Sequence, residues 1–314
     1  MTTLTLGMAV AEDFDGVRMT VQSAKINAAE AGVSLDQIIV VNNRPDSRHG
    51  KDTEDFMAKV GPEALHIPFK DYESTAVREQ VFRHSASEWT VCVDSHVILY
   101  PQFFRSLRRF TEENPYSLDI VHGPMILDDL RRMHSEWKPK WRHEMWGIWF
   151  DNPLTDDPNG EPYEDWGCGL GAFACRTKAW PGFNPLFRGF GGEEGYIHEK
   201  FRRRHGRSMC VPGMRWWHRF GQAAMEGQPE RPVVAHKNHK IRNYILGHLE
   251  LAIPLDGVYK HFVSEMRVKT HKQFMQMVDT ALADSVSTGV VSASTVPVWD
   301  VQPEKQMVRR IEVC

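Results

Sequence analysis

The sequence is short of the features that would place it outside an ordinary intracellular globule. Its five cysteines are odd in number and form no C-x-x-C pair. A disulfide framework is therefore not expected, and free core cysteines in a reducing compartment are. No apolar run approaches the length of a membrane span. Met1 to Thr5 carry no basic region and no long apolar stretch, so no signal peptide is expected and the expected location is cytoplasmic. The net charge of -3 gives no global attraction to nucleic acid or anionic membrane. No G-x-G-x-x-G follows the first strand, which argues against a dinucleotide site. There is also no internal repeat.

What remains is a chain of 314 residues, 41% hydrophobic and 25% charged, long enough for one large domain or two small ones. Leu4, Leu6, Met8 and Val10 alternate with small or polar residues and predict a strand. Val17, Val21, Ala24 and Ala28 have helical spacing, ending near Gly32. Gln37 to Val41 reads as a strand buried on both faces, as in a parallel sheet, and stops at the polar turn Asn42-Asn43-Arg44-Pro45-Asp46. Leu65 to Pro68 is a third strand and Ser74 to Ser85 a helix carrying Arg78. Pro101 to Glu113 reads as a helix with proline near its start. This is β-α-β repeated.

The stretch Val91-Cys92-Val93-Asp94-Ser95-His96 is the pivot. A short buried strand, Thr90 to Val93, ends in an acid, a small polar residue and a histidine. Strand alternation puts Asp94 and His96 on one side and Ser95 on the other. A carboxylate beside an imidazole suits a borderline divalent metal such as Mn²⁺. In open α/β sheets such a tip is where ligands sit.

Beyond this point the character changes. Leu127 to Phe150 interleaves Trp with Arg, Lys and His. Such a segment can stack bases or sugars, or it is a partly exposed helix or loop that turns its Trp residues inward. Gly167 to Cys175 predicts a buried strand with close backbone approach. Gly191-Gly192 precede a helix from Glu193 to His205, with Glu193 and Glu194 in its first turn. Ser208 to Trp217 predicts a strand ending at His218-Arg219-Phe220. The polar segment to Pro232 reads as a lid, and Lys237 to Leu251 and residues 265–280 as helices. The domain expectation is 1–262, followed by a C-terminal extension at 263–314.

Taken in order, these stretches resemble the GT-A fold glycosyltransferases, and within them the catalytic domain of the polypeptide N-acetylgalactosaminyltransferases. Asp94-Ser95-His96 matches the family's D-x-H, Phe190-Gly191-Gly192-Glu193-Glu194 resembles W-G-G-E-N, and His218-Arg219-Phe220 resembles H-x-F. Glu12 before Thr20-Val21-Gln22-Ser23, and Ile38 to Val41, resemble the first helix and the nucleotide-binding strand. The chain departs at Asn42 and Asn43, where acids are usual, at Phe190 and Glu194, and at Gly221, where an Arg is usual. The last change moves a diphosphate contact to Arg219, Lys237 or Arg242.

The resemblance implies an α/β fold with a mostly parallel sheet flanked by helices. It implies a UDP-sugar donor, with Mn²⁺ (or Mg²⁺) held by Asp94, His96 and His218. Glu12, Asn42, Asn43, Arg78, Gly191, Gly192 and Arg219 would surround the nucleotide sugar, and Glu193 and Glu194 the reacting centre. Retention at the anomeric carbon is implied. The rivals are an inverting relative with Glu193 or Glu194 as general base, a nucleotidyltransferase releasing pyrophosphate, and a non-catalytic sugar-nucleotide or nucleic-acid binding module. The acceptor would be a protein Ser/Thr hydroxyl or a hydroxymethylated DNA base. The family's secretory anchor and lectin domain have no counterpart in this sequence, which points to a bacterial cytosol or a phage-infected host.

Overall fold

The structure is a computed structural model that describes residues 2–127, 129–219 and 237–292, together with the backbone of two short strands at 298–300 and 308–310. The chain opens with β1 (Leu4–Val10), α1 (Phe14–Glu30), β2 (Gln37–Asn42), α2 (Arg48–Val60) and β3 (Ala64–Pro68). A 3-10 turn, Thr75–Arg78, runs into α3 (Glu79–His84), and β4 (Trp89–Asp94) follows. Next come β5 (Val97–Leu99), α4 (Pro101–Glu113), β6 (Ile120–His122), β7 (Met125–Ile126) and β8 (Met133–His134). A hairpin, β9 (Glu136–Arg142) and β10 (Met145–Phe150), precedes β11 (Tyr163–Asp165), β12 (Ala172–Arg176) and α5 (Glu193–Arg203). The remainder is β13 (Ser208–Cys210), β14 (Trp216–His218), α6 (Lys237–Glu250), α7 (Asp256–Tyr259) and α8 (His271–Ser287).

The main sheet has eight strands in the order β11-β13-β6-β12-β4-β1-β2-β3. Strands β3, β2, β1 and β4 pair in parallel, as do β6 and β13. Strands β12 and β11 run against their neighbours. Alternation along the strands divides the core in two. Leu6, Met8, Ile38, Val40, Val91 and Val93 face α1 and α4, where Val17, Val21, Phe103 and Phe104 meet them. Ile39, Val41, Cys92, Phe173 and Cys175 face the other layer, formed by α3, α5, α6 and α8. Each of these buried side chains contributes roughly 1.5–3 kcal/mol against the entropy of ordering the chain.

Two expectations change. The Trp-rich stretch is neither helix nor loop but the antiparallel hairpin β9–β10. Its bases and aromatics interleave with period two: Lys138, Lys140 and Arg142 are exposed while Trp137 is buried. Ser208 to Trp217 is two strands. A turn after Val211 carries the chain from the main sheet into a second one, ordered β5-β14-β7-β8. α2 has no counterpart among the sequence expectations; it buries Gly50, Thr53 and Met57, with Phe56 and Val60 packed against the same core. Residue 262 falls inside a π-helical turn, Lys260–Glu265, and α8 buries Phe274, Val278 and Ala281 in the same layer as α6. The stretch 263–292 packs against the same core as α6. Among the described residues no helix is long and apolar enough to cross a membrane. Phe220 and the lid segment to Pro232 lie outside the described residues.

Candidate active site

β4 delivers Asp94 to the carboxyl end of the parallel strands, in register with Ala9 of β1. Its backbone N–H donates to Gly171 O, just before the neighbouring strand β12 (2.8 Å). Beyond Asp94 the strand gives way to a turn. Strand alternation therefore stops applying, and Ser95 does not point away from His96. The Ser95 hydroxyl donates to Asp13 Oδ2 (3.1 Å), and the same carboxylate oxygen lies 2.9 Å from His96 Nδ1. β14 pairs antiparallel with β5, setting His218 opposite Val97, one residue past His96. The two imidazole rings meet edge to face, with centroids 4.7 Å apart.

The ligand atoms of Asp94, His96 and His218 all lie within 4.8 Å of one another. His218 Nε2 is 3.4 Å from Asp94 Oδ2. Two ligand atoms about 2.1 Å from one ion stand about 3 Å apart at right angles, so the spacing fits a shared divalent cation. One carboxylate and two imidazoles are the donors a borderline metal prefers. Asp13 supplies the outer support: by accepting from Nδ1 of His96 it favours the tautomer with the lone pair on Nε2. Asp13 also caps α1, accepting from the Gly16 N–H (3.2 Å), and receives Arg219 Nη2 at 3.4 Å. Asp13 was not among the expected site residues. Its only signal in the sequence was its place in the acidic loop after β1.

Arg78 joins this cluster to α5. It is buried, donates from Nε to Thr75 O (3.1 Å) and from Nη1 to Leu170 O (2.6 Å), and lies 3.6 Å from Asp94 and 3.8 Å from Glu193. Burial works against its charge, but Asp94, Cys92, Glu193 and Glu194 outweigh burial and hold its pKa above the ordinary value. For Asp94 burial acts to raise the pKa. The hydrogen bond from His218 and the charges of Arg78 and His96 win, lowering it to about 2. Asp94 is thus a carboxylate over the whole working range.

Glu193 and Glu194 begin α5, where the helix N-terminus favours acids. Both are buried. Glu193 accepts from the Thr75 hydroxyl (2.6 Å), a second partner the sequence did not reveal. Burial first, and Glu193 second, push the Glu194 carboxyl up to about 8. Gly191 and Gly192 have φ of 101° and 95°, a region that disfavours side chains. A Cβ on either would run into α6, at Lys240 or Asn243, so the close approach the glycines permit is to that helix.

The residues expected at the nucleotide make protein contacts of their own. Asn42 is fully buried; it donates to Gly50 O (2.9 Å) and accepts from the Arg44 N–H (3.2 Å) within its own turn. Asn43 donates to Phe69 O (3.1 Å) and Tyr72 O (2.8 Å). Glu12, at φ 57°, pairs with Arg44 at 3.3 Å. Arg242 is bound to Asp284 of α8 (2.9 Å), and the side chain of Lys237 lies outside the described residues.

Beside α5 opens a cavity of about 450 Å³. Trp141 and Trp146 of the hairpin, Trp166, and Tyr244 of α6 line it, with Gly192 at one end and Arg202 and Lys260 among its polar groups.

This arrangement, an α/β domain whose mostly parallel sheet carries a candidate metal group at its carboxyl edge, is that of the GT-A fold. Among solved structures, a crystal structure of GalNAc-T7 with UDP, GalNAc and Mn²⁺ matches with a TM-score of 0.60 at 14% identity. The match covers 95% of this chain and 59% of that one. The sequence itself matches no family profile and no curated protein.

Proposed function

We propose that the chain is a metal-dependent, retaining glycosyltransferase that moves a sugar from a UDP-sugar to an acceptor hydroxyl. The observation that carries this reading is the convergence of Asp94, His96 and His218 from two sheets onto one point at the strand ends. Bound there, Mn²⁺ or Mg²⁺ supplies Lewis-acid stabilisation of the departing diphosphate. The residues do the rest. Asp94, His96 and His218 hold the ion, Asp13 orients His96, and Arg78 fixes Asp94. Arg219, about a third exposed, is the cation at the rim that meets the diphosphate. Asn43 and Glu12 address the nucleotide, while Asn42 supports their turn from within. Gly191 and Gly192 set the turn that presents Glu193 and Glu194 to the sugar hydroxyls.

The Trp-lined cavity beside Gly192 supports an acceptor site there. Aromatic faces stack on sugars and on bases. The acceptor is then a protein Ser/Thr hydroxyl or a hydroxymethylated DNA base; DNA binding that weakens steeply with salt selects the second. The basic run Arg202 to Arg207 at the end of α5 adds little to that choice: Arg202 and Arg203 pair with Glu199, and Arg207 with Asp119.

Titration of UDP into the protein with and without Mn²⁺ tests the reading. The expected result is metal-dependent binding weakened by more than about 100-fold in Asp94→Ala, because even an outer partner of a ligand is worth about 10–100-fold. Binding indifferent to metal and to the substitution would overturn it. One observation favours a second reading. A carboxyl at about 8, such as Glu194, suits a general base on the acceptor hydroxyl, which is the inverting mechanism. The anomer of the product separates the two: a β-linked product from an α-donor sinks retention. UDP-sugar binding with neither hydrolysis nor transfer would leave a binding module.

A further inference from the structure

A second group of metal-ligating side chains lies two strands away, unrelated to the first. The register of three neighbouring strands creates it. Cys210 of β13 pairs with Tyr163 of β11 on one side and with His122 of β6 on the other. Asp165 pairs with Ser208, two residues along. Paired residues, and residues two apart, share a sheet face. Tyr163, Asp165, Ser208, Cys210 and His122 therefore all point the same way, toward α5. From there His198 reaches down, with its Nε2 3.6 Å from the Cys168 sulfur.

This face should be apolar, because it is sealed. His122, Cys168 and Cys210 are at most 2% exposed, and the Asp165 side chain is fully buried. Instead it collects polar atoms, several of them without partners. His122 Nε2 bonds to Asp165 Oδ2 (2.7 Å), while His122 Nδ1, Asp165 Oδ1 and Ser208 Oγ are buried with no hydrogen bond. Unpaired buried polar groups are rare, and each costs about 1–3 kcal/mol. A cluster of three around two thiols calls for an occupant. The ligand atoms of His122, Asp165 and Cys210 lie within 4.8 Å of one another. Cys168 lies close enough to feel the charge of His122.

We propose that this knot is a structural zinc site, with Cys210, His122 and Asp165 as ligands and Cys168 beside them as the fourth donor. Thiolate and imidazole together select zinc over the harder ions suited to Asp94, His96 and His218. The unpaired His122 Nδ1 and Asp165 Oδ1 are the atoms such an ion would satisfy. On binding, the two thiols lose their protons to solvent as the zinc–sulfur bonds form. The site would tie β6, β11 and β13 to the loop at Cys168, and so back the helix that begins with Glu193 and Glu194.

The test is metal analysis of the full chain, purified without a metal column and dialysed against EDTA. About one zinc per chain is expected to remain. It should persist in Asp94→Ala and disappear in Cys210→Ser and His122→Gln, whose thermal midpoints fall. Exchange of the wild-type zinc for cobalt should give a thiolate-to-cobalt charge-transfer band, which reads the ligands even if Cys210→Ser fails to fold. A metal-free protein that takes up cobalt without that band would overturn the proposal. So would zinc that leaves with Asp94→Ala and stays in Cys210→Ser. UDP titration on the same samples reads the other site separately.

Discussion

The molecule carries two acid–histidine clusters at the carboxyl ends of strands in one sheet, and they differ in what surrounds them. At the end of β4, Asp94 is a third exposed, and Arg78 and Arg219 stand beside the group. At the end of β6, His122 and Asp165 are sealed among two cysteines and the underside of α5. The first arrangement leaves room for a charged ligand and supplies positive charge to meet it. The second leaves no path to solvent and offers soft ligands. On the two proposals the same residue types serve opposite ends, an open cluster for exchange and a closed one for cohesion. Burial and the company of cations or thiols make the difference.

The largest effect expected on this contrast comes from Arg78→Met. The substitution keeps the bulk but strands Asp94 and Glu193 without their shared cation. Breaking a buried pair from one side costs about 3–5 kcal/mol, to be read by urea unfolding. An unchanged midpoint would mean that the guanidinium does not couple β4 to α5. Next is Asp13→Asn, which keeps a side-chain oxygen for the α1 cap but removes the carboxylate behind His96. Metal affinity at the open cluster should fall by about 10–100-fold with little change in thermal stability. Equal Mn²⁺ affinity in mutant and wild type would confine Asp13 to capping.

The smallest effect is a slope. Glu194 titrates near 8 in the folded chain, against 4.5 ordinarily. Between those values the folded state holds a proton that the unfolded state has released. Its contribution to stability is complete below pH 4.5 and is lost as pH rises toward 8, by on the order of 1 kcal/mol per pH unit. Glu194→Gln should flatten that decline in denaturation curves measured from pH 5 to 9. A parallel decline in both proteins would assign the slope to another group.

Much of this was legible in the chain because it rests on local pattern. Period-two alternation gave β1, unbroken apolar runs gave β2 and β4, and helical spacing with proline at the first turn gave α4 at its observed bounds. Asp94, His96 and His218 could be named because residue type and order identify them. Other features were not readable from local pattern. Asp13 in its loop and Thr75 at a helix start look ordinary until folding sets them against His96 and Glu193. The hairpin was missed because basic residues between tryptophans give no apolar stripe. Asn42 looked like a nucleotide contact, and its turn claims it instead.

The sequence by itself determined the elements with a clear local pattern, such as β1, β2, β4 and α4, and which residue types are present to hold a metal. Those follow from propensity and the side-chain period of the backbone, which act over a few residues. Tertiary structure alone decided that His218 stands opposite Val97, that Cys210 lies between Tyr163 and His122, and that Arg78 is enclosed by acids. Each of these depends on strand register and on burial, which join residues far apart in sequence and have no local signature.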